Sequence, residues 1–236
     1  MAMKLLKKDE GKIIFETDMN ISLANAIRRS VGEIPILAID EVDIYKNDSA
    51  LYDEAIAHRL GLIPIAHQKL KDGKSVTFKL KAKGTDKGTE VLSGELGEDV
   101  VYGEMPIVLL EKDQELELVA RASVGEGKNH AKHMPGLLYY KHSPSIKISS
   151  EGEKHSELAE LYPEVFEFDG KLKVKNAWAT DLDGDDVSEY KGVNIELSPE
   201  LVFVIESWGQ IDVKDIFSEA GKALKSNLND LTKALK

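Results

Sequence analysis

The chain has 236 residues, with 31 Lys or Arg against 42 Asp or Glu, so its formal net charge is −11. Its length suits one large domain or two modest ones, and 42% hydrophobic with 31% charged residues is typical of a folded protein with a charged surface. Cysteine is absent, which excludes disulfides, thiolate metal sites and iron–sulfur ligation, and no apolar run approaches the roughly 18 residues of a membrane span.

The first part of the chain predicts a strand, a helix and a second strand. Residues 12–17 are apolar and β-branched, and Thr17 and Asp18 are candidate caps for the following helix. Residues 36–45 predict the second strand, and Pro35 ends the helix before it. The helix itself is predicted from apolar residues at steps of three and four, which are Ile21, Ala24, Ile27, Val31 and Ile34.

A second helix is predicted over residues 52–60, with Gly61 as a left-handed cap and Pro64 blocking its continuation. Strands dominate from there to residue 124, including a hairpin turn at Asp72 and Gly73. A half-buried strand is predicted from strict alternation of Leu116, Leu118, Ala120, Ala122 and Val124. Residues 125–136 predict a polar loop.

Residues 149–191 are acidic and predict a helix at 155–162 followed by a hairpin that turns at Asp169 and Gly170. Residues 201–206 predict another buried strand. The last helix is predicted over 212–235, about 35 Å at roughly 1.5 Å per residue. Its apolar face comprises Val213, Ile216, Phe217, Ala220, Leu224, Leu228, Leu231 and Leu235.

The apolar face of the last helix continues to the penultimate residue, where a helix packed only on its own domain is expected to fray. This length indicates a partner surface, and the first helix carries a second apolar face with Arg28 and Arg29 beside it. Two such helices at opposite ends of the chain suggest a discontinuous domain in which the termini meet. Ordinary coverage of a core is the alternative reading.

Candidate enzymatic motifs are incomplete. The segment around Lys128 lacks the first glycine and the final Ser or Thr of a phosphate-binding loop, since Ala122 and Asn129 stand there. His130 and His133 have the i, i+3 spacing of two metal ligands, but no third ligand is placed by the sequence. A metal-dependent hydrolase using these two histidines stays as an alternative, as does a free-standing acidic interaction module.

Three segments, residues 20–29, 54–64 and 125–135, together resemble the α-type subunits of multisubunit RNA polymerases. The strand at 203–206, Gly209 and the terminal helix complete the same order. Within this family the chain is similar to the archaeal members, which are related to the third-largest subunit of eukaryotic RNA polymerase II and to the amino-terminal half of bacterial α.

The resemblance implies an α+β fold with a discontinuous dimerisation domain built from both termini, residues 1–45 and 197–236. A mostly β domain, residues 46–148 and 192–196, is inserted between them. Residues 149–191 resemble a small ferredoxin-like insert. Because that insert has no cysteines here, we expect no iron–sulfur cluster, no other cofactor and no bound metal, with apolar side chains holding the insert together.

The implied function is that of a non-catalytic assembly subunit of DNA-directed RNA polymerase in the cytoplasm. It would heterodimerise with the small subunit L and form the platform for the second-largest and largest subunits and the small zinc-binding subunits. Neither a membrane nor sequence-specific nucleic acid is an expected partner. The predicted partner-binding residues are Ile21, Ala24, Ile27, Arg28, Arg29, Phe217, Ala220, Leu224, Leu228 and Leu231. His58 and Arg59 could also face a neighbouring subunit.

Overall fold

The computed structural model describes residues 2–68 and 75–236, so the turn predicted at Asp72 and Gly73 lies outside the described residues. Its elements, in chain order, are β1 (Met3–Lys8), β2 (Lys12–Thr17), α1 (Ile21–Ser30), β3 (Pro35–Asn47), α2 (Asp53–Gly61), β4 (Val76–Lys83), β5 (Thr89–Leu92), β6 (Pro106–Leu110), β7 (Glu115–Glu126), β8 (Gly136–Ile148), α3 (Ser156–Leu161), β9 (Phe166–Phe168), β10 (Leu172–Val174), β11 (Val193–Ser207) and α4 (Val213–Ala234). None of the described helices is long and apolar enough to cross a membrane.

The strands form sheets ordered β1-β2-β11-β8, β3-β7-β4, β5-β6 and β9-β10. The pairings β1–β2, β3–β7, β4–β7, β5–β6 and β9–β10 are antiparallel, which confirms the α+β class. The chain divides into two compact units. The first contains residues 2–8, 13–24 and 139–204, and the second contains residues 9–12, 25–138 and 205–236 as far as they are described.

The core of the second unit is built on the β3-β7-β4 sheet. Strand β7 lies between the other two strands, and its alternating residues from Leu116 to Ala122 are buried, as predicted. Val124, the last residue of the predicted alternation, is exposed instead. Helix α2 packs on β3 and places Ile56 and Leu60 in the same cluster. A sheet with a central strand paired on both sides, and with a helix packed on its neighbouring strand, is a rigid support for the adjoining loops.

The first unit contains the acidic segment as a small cluster of its own. Strands β9 and β10 pair around the predicted turn, where Gly170 has φ of +70°, a conformation that glycine adopts without strain. Phe166, Leu172 and Leu158 of α3 are fully buried there. Elsewhere in this unit the rings of Phe15 and Phe203 stack at 5.2 Å.

Three details of the predicted helices are wrong. The side-chain oxygen of Asn20, and not Thr17 or Asp18, caps α1 by accepting from the backbone N–H of Ser22 at 2.9 Å. Helix α1 ends at Ser30 and continues as a 3-10 turn at Val31–Glu33, so the predicted single helix is shorter. Gly61 is the last residue of α2 and does not have the positive φ of a left-handed cap.

Candidate partner interface

The buried contacts between helix α4 and the rest of the second unit come from the first half of the helix. The carboxylate of Asp212 caps it by accepting from the N–H of Lys214 at 3.0 Å. Val213, Ile216 and Ala220 are buried, and the helix packs on the 3-10 turn at Val31–Glu33. Burial of this half fixes the direction in which the rest of the helix projects.

From Lys225 to the end of the chain every residue is exposed. We call Leu224, Leu228, Leu231 and Leu235 the leucine row, because their spacing places them on one face of the helix. Leu228 and Leu231 are each 56% exposed and Leu235 is 79% exposed, whereas Leu224 and Phe217 are half-buried. The row therefore continues the buried face of the helix without a cover from the described part of the chain.

Helix α1 presents a different arrangement. Ala24 and Ile27, which the sequence predicts as partner contacts, are buried within the chain itself, as is Ala220 on α4. Of the three apolar residues of α1 that the sequence predicts as partner contacts, Ile21 is the exposed one, at 50%. Leu23 is also exposed and was not predicted, although an apolar residue away from the main apolar face of a helix is a usable signal.

The compact units separate the predicted residues. Ile21 and Ala24 belong to the first unit, whereas Ile27, both arginines and the predicted residues of α4 belong to the second. The exposed members in the second unit are therefore Arg28, Arg29, Leu228 and Leu231.

The two arginines in the last turn of α1 differ in their contacts. Arg28 donates to the side-chain oxygen of Asn25 through Nε at 3.2 Å and Nη2 at 3.0 Å, so its guanidinium is held against its own helix. Arg29 is exposed and forms no hydrogen bond or ion pair with any residue in the described part of the chain. Both charges are also favourable near the negative end of the helix dipole.

Residues 125–135 form a tightly packed connection to the start of β3. The N–H of Lys128 donates to the carbonyl oxygen of Gly32 at 2.8 Å. A Cβ on Gly127 would collide with the side chain of Met134 and approach the Cα of Gly32, and a Cβ on Gly125 would lie 2.5 Å from the ring of His133. The glycines of this segment are thus required by close approach within the second unit.

His133 and Lys132 complete this connection. Nδ1 of the buried His133 donates to the carbonyl oxygen of Ile36 at 2.9 Å, and burial lowers the pKa of the imidazole, which favours its neutral form. Nζ of Lys132 lies 2.5 Å from a carboxylate oxygen of Asp40, and this hydrogen bond lowers the pKa of Asp40. The two side chains therefore hold the segment to β3.

The geometry does not support the hydrolase alternative. Nδ1 of His130 accepts a hydrogen bond from the N–H of Lys132 at 3.1 Å, and His133 is buried and bonded to the backbone. Within residues 2–68 and 75–236 no group of three or more His, Cys, Asp or Glu side chains is placed to hold a metal ion.

Comparison with known proteins identifies relatives over nearly the whole chain. The model of the RNA polymerase Rpb3/RpoA insert domain matches residues 21–138, half of the chain. The chain is 36% identical to DNA-directed RNA polymerase subunit Rpo3 of Pyrococcus horikoshii, with 94% of this chain and 93% of the relative covered. Subunit Rpo3 of Pyrococcus furiosus is also 36% identical, covering 94% and 92%. The Archaeoglobus fulgidus subunit is 30% identical, covering 99% and 97%.

Proposed function

The chain belongs to the Rpo3 family of archaeal DNA-directed RNA polymerase subunits, and from this premise we propose that it forms a heterodimer with the small subunit L. It is a subunit of a DNA-directed RNA polymerase, functions in transcription as an assembly subunit and associates with other subunits of that enzyme. The proposal concerns which partners it binds and with which residues.

The exposed leucine row carries the proposal. Monomeric proteins rarely leave a contiguous row of large apolar side chains in water, and such rows mark protein–protein contacts. Leu228, Leu231 and Leu235 project beyond the part of α4 that the chain buries. A helix of a related subunit, laid along this row, would remove the leucines from water at a gain of roughly 25 cal/mol per Å².

Arg29 supports a second contact, with one of the two large subunits. A guanidinium that is exposed and unpaired within the described residues offers a fork of donors to carboxylates or backbone carbonyls of a neighbour. Arg28 is less suited to this role because Asn25 already occupies two of its donors. The small zinc-binding subunits would join the same platform.

The remaining parts of the proposal are organisational. The dimerisation domain comprises residues 1–45 and 197–236, the inserted β domain comprises 46–148 and 192–196, and the ferredoxin-like insert comprises 149–191. The insert is held together by the buried apolar side chains around Phe166 and binds no iron–sulfur cofactor. The chain contributes no catalytic residue to the polymerase and resides in the cytoplasm.

Co-expression with subunit L followed by size-exclusion chromatography tests the heterodimer. We expect the wild-type chain to elute with L in a one-to-one complex. Leu228→Asp and Leu231→Asp should each abolish coelution because a carboxylate would be buried without a partner. Asn229→Asp places the same charge on a different face of the exposed half of α4 and should leave the complex intact. Separate, well-folded monomers of the wild-type proteins would contradict the proposal.

Arg29→Ala tests the second contact. The variant should still form the heterodimer but recruit less of the second-largest or largest subunit in a pull-down. Arg28→Ala serves as the matched control on the neighbouring residue and should have the smaller effect. Equal recruitment by the wild type and Arg29→Ala would remove Arg29 from the interface.

A further inference from the structure

The second unit carries an apolar groove that the contacts proposed above do not use. One cavity of about 350 Å³ has Leu62, Met105, Met134 and Trp208 in its wall. A second cavity of about 350 Å³ shares Leu62 and Met105 with the first. Because the cavities share walls, they are parts of one depression in the surface.

The depression continues along α2 and β6. The second cavity adds His58, Arg59 and Pro106, and a third of about 320 Å³ shares Arg59 and Pro106 and reaches Leu109. We call the three together the α2–β6 groove. A row of adjoining apolar cavities fits successive side chains of an extended polypeptide better than one compact ligand.

The apolar groups of the groove are open to solvent. Leu62 is 49% exposed, and Tyr102, Leu109 and Trp208 are also exposed. The framework beneath them is rigid, since Ile63 and Ile107 are buried in the core of the unit. Exposed aromatic and aliphatic side chains on a fixed framework are typical of the anchor pockets of protein–protein interfaces.

The groove carries charged side chains of both signs, and one of its cations is unpaired. Arg59 and Lys132 line the first two cavities and no carboxylate does, whereas Glu90 lines the third cavity together with Arg59. Lys132 is neutralised by Asp40, but Arg59 has no carboxylate partner among the described residues. Nη2 of Arg59 donates to the carbonyl oxygen of Pro106 at 2.5 Å, which holds the guanidinium at the boundary of the second and third cavities.

We propose that the α2–β6 groove binds an extended, acidic segment of another polymerase subunit. Aliphatic or aromatic side chains of that segment occupy the cavities, and a carboxylate of the segment pairs with Arg59. The inference rests on the proposed function, because the segment is sought among subunits of the same enzyme. It adds a binding site distinct from the leucine row.

Peptide binding tests the groove. The probes are overlapping synthetic peptides of about 15 residues that cover the other polymerase subunits, presented to the purified heterodimer with L. We expect binding by one or a few acidic peptides that contain apolar residues. Leu62→Asp and Arg59→Glu should each weaken that binding about tenfold or more. Replacing the acidic residues of the peptide by Lys should restore its binding to the Arg59→Glu variant.

Controls separate this inference from the proposed function. Tyr45→Asp adds a carboxylate at an exposed aromatic residue outside the groove and should leave peptide binding unchanged. Both groove variants should still coelute with L, which shows that the groove and the heterodimer contact are separate. If the wild-type chain does not coelute with L, the heterodimer is wrong, and the same peptide assay on the chain alone then tests the groove. Arg59→Gln should also weaken peptide binding. If the unfolding transition of this variant equals that of the wild type, local unfolding is excluded as the cause of the weaker binding.

Three results would overturn the inference. One is that no peptide binds, or that the bound peptides are insensitive to Leu62→Asp and Arg59→Glu. Another is that a single-stranded oligonucleotide binds in an Arg59-dependent manner while the peptides do not. The third is self-association of the heterodimer that Leu62→Asp abolishes, which would assign the groove to a second copy.

Discussion

Asn227 of α4 donates a hydrogen bond to the carboxylate of Glu33, a residue 194 positions earlier in the chain. The bond joins the terminal helix to the 3-10 turn that follows α1, at the point where the buried half of α4 gives way to the exposed half. Asn227→Ala should therefore loosen the helix at this point and lower the free energy of unfolding by about 1 kcal/mol. Urea denaturation measures the change.

A double-mutant cycle tests whether that loss belongs to the pair. Glu33→Ala in the Asn227→Ala background should add little, because the first substitution has already removed the contact. Additive losses would show that the two side chains act independently.

Substitutions in the two halves of α4 should change the free energy of unfolding of the isolated chain by very different amounts. Ile216→Ala creates a cavity in the buried half and should cost about 2–4 kcal/mol of unfolding free energy. Leu228→Asp changes an exposed side chain and should stay within about 0.5 kcal/mol of the wild type. Chemical denaturation of the two variants measures both values. A large loss for Leu228→Asp would show that the chain covers this leucine itself.

Two glycines give a matched pair of opposite predictions. A Cβ on Gly136 would collide with the carbonyl oxygen of Glu206, a backbone atom that moves only with its strand. Gly136→Ala should therefore destabilise the fold by about 1–3 kcal/mol. A Cβ on Gly221 in α4 meets nothing within 4 Å, so Gly221→Ala should stabilise the helix by up to about 1 kcal/mol. Thermal unfolding of both variants checks the signs.

Stability should fall below neutral pH because of His133. Burial lowers the pKa of His133, so the unfolded chain, with a histidine pKa near 6.5, binds more protons once the pH drops below that value. The contribution is complete above about pH 6.5 and is lost as the pH falls through the folded pKa. Among its charged neighbours, Asp40 favours the protonated ring, whereas Lys132 and His130 oppose it.

Urea midpoints between about pH 5 and 7.5 measure this effect. His133→Gln should flatten the dependence, and His58→Gln, at an exposed histidine, should retain it. An unchanged pH profile in His133→Gln would show that another group is responsible.

Local patterns were sufficient for the elements whose burial is periodic. The predicted helix at 212–235 agrees with α4 at Val213–Ala234, and the hairpin of β9 and β10 has its turn at Asp169 and Gly170 as predicted. Periodicity does not reveal what covers an apolar face. Ala24, Ile27 and Ala220 therefore looked equivalent to Leu228, although the chain buries the first three itself.

The α2–β6 groove could not be predicted in the same way. Leu62, Met105, Met134 and Trp208 come from separate segments of the chain, and only the tertiary fold places them around one cavity. The role of Gly125 was equally hidden, because the close approach that requires a glycine there is made by the ring of His133. Both features depend on distances between segments, which residue spacing does not encode.

The open end of α4 has a consequence for cells that make this chain in excess of its partners. Three leucines on a projecting helix are the kind of surface that chaperones and proteases bind. Surplus copies would be removed while assembled copies, with the row covered, persist. The same side chains would thereby match the amount of this subunit to the supply of the polypeptide that covers them.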